Sequence, residues 1–131
     1  IPARSVNNVV DILNYKNKFD VIAIDEAQFF SNDIVNVCNE LADSGIRVII
    51  AGLDMDFSGK PFGPMPYLMA IAEEVIKLHA ICSDTGNPAL YSYRKLKNKD
   101  VVMLGKKDEY EPLSREAFIF KMKKNKLGNN T

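Results

Sequence analysis

The sequence predicts an α/β domain built on a parallel sheet with flanking helices, followed by a small antiparallel hairpin near the C-terminus. Three observations predict it. Two short β-branched runs, "DVIAI" at residues 20–24 and "IRVIIAGL" at 46–53, are apolar on both faces, as strands buried in a parallel sheet are. Between them, "SNDIVNVCNELADSG" places Ile34, Val37, Cys38 and Leu41 on one helical stripe, so that strand, helix and strand make one right-handed βαβ unit. Farther on, "ALYSYRK" and "VVMLG" alternate in polarity about a charged "LKNKD" turn, the pattern of a hairpin.

Each element has its own reason. From Ser5 to Tyr15, Val6, Val9, Val10 and Leu13 recur at helical spacing, with Ser5 as N-cap. The run at 20–24 is too brief for a helix. Ser31 or Asn32 caps the next helix and Gly45 ends it. "DMDFSGKPFGPMP", after Leu53, is too rich in glycine and proline for regular structure. A helical pattern resumes from Met65 to Glu74, and "VIKLHAIC" reads as a third strand in which His79 alternates with apolar neighbours as a structural residue. "KMKKNKLGNNT" reads as a solvated, fraying end. The expected organisation is a core over 1–80, a small subdomain over 81–122 and a disordered tail over 123–131.

Composition narrows the function. With 131 residues, 47% of them hydrophobic, the chain can bury one real core. Seventeen basic and seventeen acidic residues give a net charge of zero, so no global field draws it to nucleic acid or membrane, and a charged ligand must be held locally. Two cysteines, Cys38 and Cys82, are too few for a disulfide framework and fit a reducing, cytoplasmic setting. No apolar stretch approaches the roughly 20 residues of a membrane span, and the start shows no signal-peptide pattern.

The acids Asp25 and Glu26 follow the apolar run Val21 to Ile24 without a break. In open α/β sheets, ligands collect outside the carboxyl ends of the strands. An aspartate there is how P-loop nucleotide-binding folds hold Mg²⁺, usually through water, because magnesium takes hard oxygen ligands and keeps much of its hydration. A neighbouring glutamate can accept the proton of an alcohol that attacks phosphorus. Taken alone, the pattern describes equally well two acids that cap the following loop.

Read together and in order, "IDEAQFF", "GLDMDFSGKPFG", "AEEVIKL" with Cys82 shortly after, "ALYSYRK" and "DEY" resemble the cytoplasmic (type II) thymidine kinases, from about Ile1 to Phe120. The resemblance implies a P-loop NTPase-like parallel sheet with a C-terminal lasso subdomain. It implies transfer of the γ-phosphoryl group of ATP, with Mg²⁺, to the 5′-hydroxyl of thymidine, in a cytoplasmic homotetramer serving pyrimidine salvage for DNA synthesis. Nucleic acid and membrane are not among the implied partners. On the same resemblance Glu26 is the catalytic base, Asp25 holds magnesium through water, and Asp25, Glu26, Ala27 and Gln28 form the magnesium and ATP environment. Gln28 and Phe29 line the nucleoside pocket, Leu53 and Phe57 wall it, and Phe62 is structural. Backbone groups of Val101, Val102, Met103, Leu104 and Gly105 meet the edge of the base, and Tyr110 closes the site. Ser92 stands where the family usually has threonine, which removes one methyl near the thymine methyl and is expected to cost roughly 1 kcal/mol or less.

Two departures from the family pattern stand out. Where members often carry four zinc-binding cysteines, this chain has Cys82, Thr85, Ser114 and Ala117, and one sulfur cannot build a tetrahedral thiolate site. No structural zinc is expected; packing of Leu90, Tyr91, Leu113, Phe118 and Phe120 is expected to hold the small subdomain instead. The phosphate-cradling GxxxxGK[ST] motif is also missing, since proline follows the lysine of "SGKPFG". With no initiator methionine, this predicts a fragment whose phosphate loop precedes Ile1. A polypeptide of these 131 residues alone is therefore expected to show negligible phosphoryl transfer in a thymidine kinase assay; robust turnover would contradict that. The competing readings are another P-loop ATPase, with the acids activating water, and a non-catalytic nucleotide-binding domain.

Overall fold

The computed structural model describes residues 2–95 and 109–128, in two compact units: Ile1–Asp54 with Pro61–Val75, and Met55–Lys60 with Ile76–Thr131. Among the described residues it is a mixed α/β structure with one parallel and two antiparallel strand pairs.

The first unit contains the βαβ unit. Strands β1 (Val21–Ile24) and β2 (Arg47–Ile50) pair in parallel, Val21 opposite Arg47 and Ile24 opposite Ile50. Helix α1 (Asp33–Asp43) connects them, with Ile34, Val37, Cys38 and Leu41 all buried, the stripe that the spacing predicts. It ends at Gly45 (φ 91°), where Ile46 N–H reaches Leu41 C=O at 3.2 Å and Gly45 N–H reaches Ala42 C=O at 2.9 Å. This paired turn satisfies the last carbonyls and returns Ile46 to the core beside Leu41. Complete burial of Ile34 and Leu41 contributes about 1.5–3 kcal/mol each. Burial pushes the Cys38 thiol up to about 11, so near neutral pH it is a small apolar filler.

Two short helices complete this core. The first is a 3₁₀ helix, Val9–Tyr15, rather than a longer helix from Ser5. Its cap is Asn8, whose Oδ1 accepts from Val10 N–H at 3.1 Å. Three residues per turn put Val9 and Ile12 on the buried face and leave Val10 half-exposed. Helix α2 (Met65–Ile71) follows Pro64 and buries Met65 and Leu68.

The sheet differs from expectation in two ways. Ile22, Ile24, Val48 and Ile50 face the core, but Val21 and Ile49, on the opposite face, are about half-exposed. The third strand predicted at 75–82 is reduced to Ala80–Ile81 (β3), which lies in the second unit and pairs antiparallel with β4 (Pro88–Ala89). A strand needs a neighbour for its N–H and C=O groups. Among the described residues none flanks 75–79, and Leu78 is 90% exposed.

In the second unit β5 (Tyr91–Arg94) pairs antiparallel with β6 (Tyr110–Leu113), and α3 (Arg115–Gly128) packs against both. The predicted partner "VVMLG" and its "LKNKD" turn lie outside the described residues; the partner seen is Tyr110–Leu113. Tyr91, Leu113 and Phe118 are buried, and Tyr91 stacks on Phe118 at 4.3 Å between centroids. Leu90 and Phe120 do not join them: Phe120 is 67% exposed, because a helix that turns Phe118 inward turns the residue two positions on outward. Helix α3 also runs through residues 123–128, where a disordered tail is predicted. The Asn125 amide bonds the Tyr93 hydroxyl, and Lys121 Nζ reaches Glu111 at 2.7 Å and Asp84 at 3.2 Å. These ties give the lysine-rich helix a surface to lie on.

Candidate active site

The position of the acid pair follows from the sheet's own hydrogen bonds. Ala51 N–H donates to Ile24 C=O at 2.9 Å, and Ala27 N–H donates to Ala51 C=O at 3.0 Å. Between these two bonds the chain leaves the ladder for two residues, Asp25 and Glu26, which project from the carboxyl end of β1. The excursion is tight enough to force Glu26 into the left-handed region (φ 52°, ψ 43°), which costs a residue with a Cβ about 1–2 kcal/mol. Asp25 Oδ1 accepts the Glu26 N–H at 2.8 Å and steadies the turn. A short 3₁₀ turn, Ala27–Phe29, follows.

Gln28 lies beneath the acids and is only 3% exposed. Its Nε2 donates to Glu26 Oε2 at 2.6 Å, and its Oε1 accepts Leu53 N–H at 3.1 Å. Asp25 and Glu26 open onto a cleft of ≈ 590 Å³, bounded also by Phe29, Phe30, Ser31 and the segment Val6 to Val9. The cleft thus has two carboxylates on one wall and an exposed phenyl ring beside them. Phe29 is 70% exposed, with its ring edge-on to Phe62 at 5.5 Å.

The other site residues predicted in this unit fall into different environments. Leu53 is half-exposed just past the end of β2. Ala27 is fully buried with its N–H already committed to Ala51, so it places its neighbours and offers no side chain to a cofactor. Gln28 has both polar ends engaged inside the protein, Nε2 with Glu26 and Oε1 with Leu53. The Gln28 contacts and the Val6 to Val9 wall are not among the predicted features. Their signals were a glutamine two residues after the glutamate and the polar pair Asn7–Asn8 before the first helix.

In the second unit, Asp56 organises the loop that carries Phe57. Its Oδ1 accepts from Ser58 N–H (2.9 Å), Ser58 Oγ (2.6 Å) and Lys60 N–H (3.0 Å). Burial pushes the Asp56 carboxyl up, but these hydrogen bonds and the Lys60 charge outweigh it and hold it below its usual value. "SGK" is therefore part of a carboxylate-centred turn. Phe57 is half-exposed, with the Arg94 guanidinium 5.3 Å from its ring centroid. Arg94 is also the ladder partner of Tyr110, and Ser92 faces Pro112 on the same strand pair. Val101, Val102, Met103, Leu104 and Gly105 lie outside the described residues.

The four positions matched to the family's zinc cysteines all meet, Ala117 through its backbone N–H. Thr85 Oγ1 bonds Ser114 Oγ at 3.3 Å, Ala117 N–H donates to Ser114 Oγ at 3.4 Å, and Cys82 hydrogen-bonds with both Thr85 and Ser114. One sulfur, two hydroxyls and a methyl do not fit a zinc thiolate site. Burial pushes the Cys82 thiol up, yet hydrogen bonds from the side chains and backbone of Thr85 and Ser114 prevail and bring it down from 9.0 to about 6. A thiol whose value falls on folding contributes stability that is complete above about pH 9 and is lost as pH falls through about 6. The gap in melting temperature between wild type and Cys82→Ser is therefore expected to widen from pH 6 to pH 9. A gap that does not change with pH would contradict the hydrogen-bond assignment.

Fold and site together define a mixed α/β protein with paired carboxylates at the carboxyl end of a parallel strand, above an open cleft. A family model described as thymidine kinase matches residues 1–118. The thymidine kinase of Bacteroides thetaiotaomicron is 53% identical over 119 residues, covering 91% of this chain and 60% of that protein. That of Porphyromonas gingivalis is 50% identical over 118 residues (90% and 58%), and that of a Rhodothermus species 49% over 113 (86% and 53%). The chain belongs to the thymidine kinase family. It spans about 60% of the length of the curated relatives it matches.

Proposed function

We propose that this chain carries the proton-accepting part of an ATP-dependent thymidine kinase, with Glu26 as the base. The observation that supports this most is the acid pair itself: two carboxylates leave the sheet together at a strand's carboxyl end, and Glu26 is held in a costly backbone conformation facing a cleft. Strain of that kind concentrates at functional sites. As the thymidine 5′-oxygen bonds to the γ-phosphorus and the bridge to the β-phosphate breaks, Glu26 takes the hydroxyl proton and ADP departs. The product is thymidine monophosphate.

Asp25 fits a magnesium role by the chemistry of its donors: an exposed, pinned carboxylate offers hard oxygen to a hydrated ion. When bound with ATP, magnesium offsets phosphate charge. Phe29, with its exposed ring, and Leu53 are the apolar groups for the nucleoside in this unit. Roles for Phe57, Ser92, Tyr110 and the backbone of residues 101–105 rest on the family likeness, as do the P-loop type of sheet, the division at residue 80, the lasso, the homotetramer and the cytoplasmic setting. Among the described residues no helix is long and apolar enough to cross a membrane. The proposed protein works without structural zinc.

The test is product formation by the complete polypeptide that carries this sequence. Radiolabel from the γ-position of ATP is expected to appear in thymidine monophosphate only when thymidine is present. ATP hydrolysis that ignores thymidine would favour the ATPase reading instead.

A further inference from the structure

We propose that Gln28 is a positioning residue that fixes the Glu26 carboxylate for proton transfer, and that it does not contact the nucleoside. This rests on Glu26 being the base. The orientation of the Gln28 amide is set from within. Leu53 N–H can only donate, so Gln28 must present Oε1 to it at 3.1 Å. That leaves Nε2, a donor, for Glu26 Oε2 at 2.6 Å. The amide thus transmits the position of the backbone beyond β2 to one oxygen of the carboxylate.

The surroundings hold both ends of this bridge. A Cβ on Gly52 would lie 2.8 Å from Gln28 Oε1, and one on Gly63 would lie 2.5 Å from the Gln28 carbonyl oxygen. Amide and backbone therefore occupy slots that stay open only because both neighbours are glycine. Glu26 needs this support, since its left-handed turn places it outside any regular ladder and its side chain stands at the edge of a cleft. A residue that recognised the nucleoside would keep a polar end free, whereas Gln28 is 3% exposed with both ends engaged. Positioning the base affects the transition state and leaves ground-state binding of the nucleoside alone.

The experiment is steady-state kinetics on the complete polypeptide with Gln28→Met, Gly52→Ala and Glu26→Gln. Methionine keeps the length and loses both hydrogen bonds; alanine at 52 pushes on Oε1, and at 3.0 Å on the Met65 sulfur, and leaves residue 28 unchanged. Both are expected to lower kcat at least tenfold with KM for thymidine within twofold of wild type. Should Gln28→Met fail to fold, Gly52→Ala reads the same split. A rise in KM at constant kcat would make Gln28 a nucleoside ligand and overturn the proposal, as would wild-type kinetics in either variant. Glu26→Gln separates the two levels. If it abolishes turnover while the other two variants keep it, the positioning role alone fails; if it keeps turnover, the base assignment fails and takes this role with it.

Discussion

Glu26→Gln is expected to lower kcat for thymidine phosphorylation by a factor of about 10²–10⁴, the usual contribution of a positioned general base. Thymidine affinity should stay within a few-fold of wild type. Glutamine has the same shape and the same left-handed backbone cost, and its carbonyl oxygen can still accept from Gln28 Nε2, now 2.6 Å from Glu26 Oε2. What is lost is the capacity to take a proton. Parallel measurement of kcat, thymidine binding and thermal stability checks the prediction. A drop in all three would mean that position 26 holds the fold and not the reaction.

The second large effect is expected at Gly63. Its φ is 49°, and a Cβ there would meet the Gln28 carbonyl oxygen at 2.5 Å. The clash is with backbone, so no rotamer can relieve it. Chain movement would have to pass through Pro64, which is fully buried, or through the Ala27–Phe29 turn under the acids. Gly63→Ala is therefore expected to destabilise the protein by about 2–5 kcal/mol, combining the left-handed cost with that of overpacking. Because Gln28 would be displaced, turnover should fall as well. Denaturant unfolding measures the first and kinetics the second; a loss below about 0.5 kcal/mol, the range of a neutral surface change, would contradict the close approach.

How much of this was legible in the sequence depended on how local its causes are. The βαβ unit was legible because its signals are local: β-branched runs, the Ile34–Leu41 stripe and a terminating Gly45. The acid pair was legible as well, since two carboxylates directly after an apolar run must leave it. The hydrogen bonds that set their geometry were not, because Ala51 and Leu53 reach Ile24, Ala27 and Gln28 across the sheet, some 25 positions away in the chain. Local pattern misled where a partner decides the outcome. Val75 to Cys82 alternates like a strand, yet a strand forms only beside another, and only Ala80–Ile81 finds one. The segment from Lys121 reads as a solvated, fraying end; Lys123, Lys124 and Lys126 are indeed exposed, but Asn125 and Lys121 meet Tyr93, Glu111 and Asp84, and the helix continues. Similarly, Gln28 belongs by type to a polar pocket, and its burial with both amide ends hydrogen-bonded to Glu26 and Leu53 has no local signal in the sequence.

The most direct measurement is a structure of the complete protein with thymidine bound. The predicted result is a thymidine 5′-oxygen within about 2.6–3.2 Å of the Glu26 carboxylate, with Gln28 Nε2 still on Oε2. A 5′-oxygen hydrogen-bonded to some other group, with Glu26 turned away from it, would contradict the assignment of Glu26 as the base.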